Sequence, residues 1–215
     1  MSKNKKFTKR EQVRIKHFEN ISKKMESYGY IQKYIIFDIG KANIFSVFIM
    51  APFVIISWLI FTKNVHSGFF ALRGFDGFKF LLIVVILATI HELIHGFFAG
   101  MFAREHFQSV EIGVIWYILT PYCYCKEPLK KWQYVVYGLS PTIIIGICLM
   151  MLSVIMESSF VFALLVIMLV GGGGDALVAL NLLRYRTDGK KVYIYDHPYE
   201  LGLVLFEKKE IDYDL

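Results

Sequence analysis

A chain of 215 residues that is 56% hydrophobic and 16% aromatic, with a mean hydropathy of +0.49, carries more apolar side chain than a soluble domain of that size can bury, since such domains run at roughly 45–50% apolar. Its formal net charge of +6 is accounted for by helix orientation and comes with no recognition motif, so no nucleic-acid partner is expected. Cys123, Cys125 and Cys148 are an odd set with neither a CxxC spacing nor a second pair, which argues against a disulfide framework and leaves them as small, partly buried residues.

In chain order, residues 8–29 predict a basic amphipathic helix, with Phe18, Ile21, Met25 and Tyr28 at helical spacing among Arg14, Lys16, Lys23 and Lys24. Such a helix either lies on anionic lipid or packs on the cytoplasmic side of a bundle. The opening forty residues hold no short apolar region ending in a small-residue cleavage site, so no cleaved leader is expected. A spanning helix needs about 20 mostly apolar residues, and four stretches qualify: 44–62, 78–103, 132–156 and 159–183. The first contains Pro52 and no ionisable residue, as suits a scaffold. Residues 63–77, Gly-rich and aromatic, read as the sizeable external loop. The segment VEIGVIWYILTPYCYCKEP is too short and interrupted to span, but its β-branched and aromatic content predicts a β-hairpin turning near Thr120 and Pro121. Beyond residue 183, an Asp-Gly turn and two short apolar stretches predict a small cap or hairpin.

Lys and Arg in short flanking segments orient membrane helices. Only Lys63, Arg73 and Lys79 fall in the external loop, so 21 of the 24 basic residues share one side, which makes both termini cytoplasmic. The expected fold is therefore an all-α membrane protein of four transmembrane helices. It has a cytoplasmic or interfacial segment 1–43, a transmembrane domain 44–183 with the hairpin between its second and third helices, and a cytoplasmic tail 184–215.

The second span contains LATIHELIHGFFAG. In a helix the i, i+4 spacing of HExxH sets His91 and His95 about 40° apart on one face, so both imidazoles reach one ion. Glu92 is displaced by about 100°, beside the metal and within reach of a water on it. Neutral imidazoles and a carboxylate suit zinc, and three protein ligands leave a position open. Zinc lowers the pKa of a bound water to about 7, and Glu92 is then the general base. HExxH also occurs by chance on soluble surfaces, but ionisable residues inside a membrane span are costly and by default functional.

A third ligand is expected from another helix at the same depth. In VGGGGDALVALNLLR the candidate is Asp175, which precedes Arg184 by nine residues as His95 precedes Arg104. With both helices running the same way, each group lies about 13 Å below the cytoplasmic helix end. Gly171 to Gly174 permit close approach or a local unwinding that turns Asp175 inward; otherwise Asp175 is a helix-packing aspartate satisfied by a neighbouring donor. Glu111, Glu127, Asp196 and His197 are competitors that need their segments to fold back, while His17, His66 and His106 sit in charged or loop contexts and read as solvated. Asn181 either holds substrate or bonds across helices.

On HELIHG, the hairpin-like segment, Ser140 with Pro141, GGGGD and YDHP, the stretch 78–207 resembles a bacterial family of small membrane zincin peptidases, and more broadly the site-2-protease type of intramembrane metalloprotease. The broader resemblance implies two metal-binding histidines, a catalytic glutamate and a distant aspartate, which fall on His91, His95, Glu92 and Asp175. It also implies an Asn and a Pro before the aspartate and a Gly after it, whereas here four glycines precede Asp175 and Ala176 follows. The resulting expectation is an integral protein of a bacterial cytoplasmic membrane that uses Zn2+ to hydrolyse a membrane-associated peptide or protein. The alternative is a non-proteolytic metal-binding membrane protein, a sensor, immunity or chaperone-like factor with the same ligands.

Overall fold

The computed structural model describes residues 9–65, 77–115 and 120–209. The chain runs α1 (Lys9–Ser27), β1 (Tyr30–Ile36), α2 (Ile39–Asn64), α3 (Gly77–Phe102), a 3-10 turn (His106–Ser109), β2 (Val110–Ile115), β3 (Thr120–Cys125) and β4 (Leu129–Lys130). It continues through α4 (Lys131–Ile155), α5 (Ser159–Gly171), α6 (Gly173–Arg184), β5 (Val192–Asp196) and β6 (Gly202–Lys208). The protein is mostly helical, and the strands are what an all-α reading leaves out.

Three helices, α2, α3 and α4, are long and apolar enough to cross a membrane, and a fourth span results if α5 and α6 are one broken helix. Their outer faces carry Phe48, Phe53, Trp58, Leu81, Phe97, Ile143, Ile147 and Met151, all exposed. An apolar belt of that extent is stable in lipid rather than water, and the chain is an integral membrane protein by this criterion. Where the sequence predicts one helix over 159–183, α5 and α6 meet at 43°. Tight packing fixes the break: a Cβ at Gly172 would collide with the Thr142 side chain of α4, and one at Gly173 would lie 2.9 Å from the Ser46 carbonyl of α2. Only glycine lets all three helices converge there. The predicted external loop lies outside the described residues for 66–76.

The tail forms the expected hairpin, β5 with β6, but this is half of a larger structure. A four-stranded antiparallel sheet has the order β1-β6-β5-β4, with β1 pairing from Tyr30↔Lys208 to Ile36↔Gly202. Strand β6 is central, and Leu203, Val204, Leu205 and Phe206 are fully buried, because a strand covered on both faces reads as a continuous apolar run. One sheet face packs on Ala99, Ala103 and Leu182 at the ends of α3 and α6. The other receives Phe18, Ile21 and Met25 of α1, gathered around Tyr124, Tyr195, Val204 and Phe206. Of the two dispositions open to α1, its apolar stripe packs on protein, although Tyr28 stays exposed.

The second sheet is the β2–β3 hairpin, in register from Val110↔Cys125 to Ile115↔Thr120. Thr120 and Pro121 are therefore strand residues, a correction to the expected turn; the connection, 116–119, lies outside the described residues. Extended backbone is what a β-branched and aromatic run favours even at a proline, provided the proline's missing N–H faces away from the ladder.

Candidate metal centre

Helix α3 presents His91 and His95 inward, with 9% and 5% of their surfaces exposed and their ring centroids 4.8 Å apart. The ligand atoms of His91, Glu92 and His95 all lie within 4.8 Å of one another, a group able to hold a metal ion. From the first turn of α6, immediately past the helix break, the Asp175 carboxylate faces both rings. Its Oδ2 is 3.1 Å from His91 Nε2 and 3.5 Å from His95 Nε2. Two ligands on a tetrahedral zinc with bonds of about 2.0–2.1 Å stand about 3.3 Å apart, so the Asp175 oxygen already keeps from each imidazole the spacing that such an ion requires.

The carboxylates flank the histidines differently. Asp175 reaches the histidines from α6, whereas Glu92 stands in the same cluster on their own helix, with the Cys123 backbone N–H of β3 turned towards its carboxylate. The hairpin comes this close because residue 96 is glycine: a Cβ there would already touch Ile112 Cδ1 at 3.2 Å and Val110 Cγ1 at 3.4 Å. On the far side of His95, Nδ1 donates to the Tyr137 carbonyl of α4 at 2.8 Å. A carbonyl only accepts, so Nδ1 carries the proton and Nε2 is the nitrogen left to face Asp175.

The group opens into a cavity of about 350 Å³ between the helices and the sheet, to which Glu92, His95, Cys123 and Asp175 contribute together with Arg14 and Asp196. His95 is seven residues short of the end of α3, roughly 10 Å at 1.5 Å per residue. The site is therefore near the sheet-covered ends of the spanning helices.

Against this geometry the family comparison is decisive: the model of the family described as "putative zincin peptidase" matches residues 81–189, half of the chain, from the second turn of the HExxH helix past the end of α6. The protein belongs to this zincin peptidase family. No curated protein and no solved structure matches the chain.

Within this zincin, the other sequence candidates are occupied elsewhere. Glu127 accepts from the backbone N–H groups of Arg104 and Glu105, each at 3.0 Å, and from Ser109 Oγ, tying off the end of α3. Burial alone would raise its pKa, but these hydrogen bonds and the Arg104 charge hold it below the usual glutamate value. Glu111 accepts from Tyr122 at 3.5 Å. His197 Nδ1 accepts from the Glu200 N–H at 3.0 Å, and its ring lies against Tyr34 and Tyr199. His17 bonds the Lys126 carbonyl at 3.0 Å, and His106 sits exposed at the start of the 3-10 turn after α3. His66 lies outside the described residues. Asn181 donates to the Leu177 carbonyl of its own helix at 2.8 Å rather than across helices.

Asp196 is the exception, since it shares the cavity wall. Burial raises its pKa, with the Tyr134 hydroxyl as hydrogen-bond partner. Arg14 is a residue the sequence reading assigned only to a basic stripe: its guanidinium carbon lies 4.0 Å from the Tyr124 ring centroid, in a cation–π contact. All three cysteines are free, and burial pushes the Cys123 and Cys125 thiols up to about 12, far from the reactive thiolate range.

Proposed function

We propose that the protein is a zinc-dependent peptidase that hydrolyses a peptide bond in a membrane-associated substrate, with His91, His95 and Asp175 as metal ligands and Glu92 as general base. The observation that carries this reading is the placement of one Asp175 oxygen at 3.1 and 3.5 Å from the two Nε2 atoms, with the Glu92 carboxylate in the same cluster. Zinc bound there would supply a lowered water pKa and a polarised substrate carbonyl. The chain's own groups do the rest. Glu92 takes the proton from the attacking water and returns it to the leaving amine. The Tyr137 carbonyl holds the His95 ring, and the surrounding helices limit access of bulk water.

The zincin family and the HExxH cluster support a metallopeptidase; the membrane-associated substrate is argued from the site's address. A cavity at the boundary between spanning helices and sheet suits a chain emerging from the bilayer, and the basic residues flanking the same helix ends favour a cytoplasmic address for that side. An extended peptide suits the site because a helical peptide bond is shielded. Strand β3, whose Cys123 N–H already points at Glu92, offers backbone for strand addition. Cysteine crosslinking from Val114 to a substrate trapped on Glu92→Gln tests this docking; crosslinks only from around His197 would overturn it.

The deciding experiment is metal analysis of the detergent-purified protein beside Glu92→Gln, combined with a cleavage assay. Stoichiometric zinc in both and turnover in the parent alone is the expected result. A parent that stays metal-free after zinc supplementation would sink the proposal, and undiminished cleavage by Glu92→Gln would remove the assigned base. Should Glu92→Gln and the parent behave identically in cells while both hold zinc, the non-proteolytic reading takes its place.

A further inference from the structure

Helix α4 contains Pro141, and its effect is found by counting backwards. In an α-helix the C=O of residue i accepts from the N–H of residue i+4, and proline has none to give. The carbonyl that Pro141 leaves unclaimed is that of Tyr137, four residues earlier. That same carbonyl accepts the hydrogen bond from His95 Nδ1 at 2.8 Å, with Ser140 Oγ donating to it at 3.2 Å. Its two lone pairs are thereby both used. We infer that Pro141 is a positioning residue for the metal centre: by withholding an N–H from α4 it exposes the Tyr137 carbonyl, which fixes the tautomer and angle of His95.

Three observations support this beyond the arithmetic. Pro141 is fully buried, so it is not at a surface where a helix break would be tolerated for want of packing. The freed acceptor is met inside the protein by a side chain of the helix that bears HExxH, which is how a buried backbone carbonyl escapes the cost of being unsatisfied. The His95 and Tyr137 rings also lie 4.9 Å apart, so the imidazole is held by a face as well as by a hydrogen bond. In a regular α4 the Tyr137 carbonyl would be turned into the helix ladder and shared with a residue-141 N–H. Nδ1 would lose its acceptor, and the Asp175 carboxylate 3.5 Å from Nε2 would then favour the proton on Nε2, the tautomer that offers no Nε2 lone pair to an ion. A proline on one helix thus acts on a ligand of another through a single backbone oxygen.

The inference rests on the metal-site reading above, and the experiment separates the two. Pro141→Ala restores the N–H. Outer partners of metal-bound histidines typically control affinity by roughly tenfold to hundredfold, so zinc affinity in detergent, measured by competition with a chelating dye, is expected to fall by about that factor while circular dichroism shows helix retained or increased. In histidine-labelled protein the His95 Nδ1–H resonance, assigned by its loss in His95→Gln, is expected as a protected signal in the zinc-loaded parent and as a rapidly exchanging or absent one in Pro141→Ala. Unchanged affinity and an unchanged Nδ1–H signal in a folded Pro141→Ala protein would overturn the inference and leave the metal site standing. A parent that takes up no zinc would instead remove the metal reading; the same resonance, recorded metal-free at alkaline pH, then decides whether the hydrogen bond forms. If Pro141→Ala does not fold, the parent spectrum decides alone: protonation at Nε2 rather than Nδ1 in the zinc-loaded protein refutes the assignment.

Discussion

Helix α3 and the α5–α6 pair bring the same kind of cargo to the same place by opposite means. In α3 the spacing of His91, Glu92 and His95 is a property of an unbroken helix, so three functional groups converge for the cost of forming one regular element. Asp175 arrives only because its helix is broken: the 43° bend and the contacts of Gly172 with Thr142 and of Gly173 with Ser46 set its carboxylate against the histidines. A local site resists change elsewhere in the molecule, whereas a site completed by tertiary packing is as fragile as the packing that completes it.

The largest expected effect comes from attacking the local half. His91→Ala or His95→Ala should weaken zinc binding by more than about a hundredfold, beyond what outer partners control, with helix content unchanged by circular dichroism. Equal zinc content in His91→Ala and the parent would mean the ion sits elsewhere.

Next comes the broken half, approached without touching a ligand. Gly172→Val drives a branched side chain into Thr142, and overpacking of this kind costs typically about 1–3 kcal/mol. Thermal unfolding in detergent should show the loss, and zinc affinity should fall with it because Asp175 follows directly. Full zinc affinity in a destabilised Gly172→Val would uncouple the bend from the site and break the comparison. Gly96→Ala is the milder counterpart on α3: its Cβ meets the flexible end of Ile112 at 3.2 Å, which can give way, so zinc affinity should stay within about threefold, the effect of a cost of about 0.5 kcal/mol. Hydrolysis should drop more than affinity, since the hairpin and its bond to Glu92 shift while the ligands do not.

The smallest effect concerns the join between α3 and the hairpin. The folded-state pKa of Glu127 is lowered, so its contribution to stability is present above the ordinary glutamate value of about 4.3 and is lost as the pH falls through the lowered folded value. Glu127→Gln should therefore melt slightly below the parent at neutral pH, and the two curves should converge under acid conditions. A gap that widens on acidification would contradict the hydrogen bonds assigned to this carboxylate.

The same division explains what could be read from sequence. HExxH was legible because a helix repeats on a scale of four residues, and the nearness of Asp175 to its histidines because Arg104 and Arg184 give both helices a common ruler of nine residues. The bend was foreshadowed by four glycines, though not which of them would touch a neighbour. Strand β1 was not legible: YIQKYII is short and carries a charge, and its partner is β6 at the far end of the chain, so nothing nearby reveals the pairing. The two residues of β4 are below any pattern threshold. The Tyr137 contact escapes a reading of residue types because the acting group is a main-chain oxygen; only the position of Pro141, four residues on, carries the signal.

The pairing of β1 with β6 has a consequence for the life of the molecule. A ribosome delivers α1, β1 and all the spanning helices before it delivers β6, so His91, His95 and Asp175 reach the bilayer while the central strand of the sheet is still unmade. Long-range strand pairing is also slow relative to helix formation. Leu201, Gly202 and Leu203 help to wall the cavity, so a nascent chain carries His91, His95 and Asp175 in an open vestibule and gains a shaped cleft only when β6 slides between β1 and β5. A membrane holding unfinished copies is thus spared enclosed cavities until β6 of each has been made.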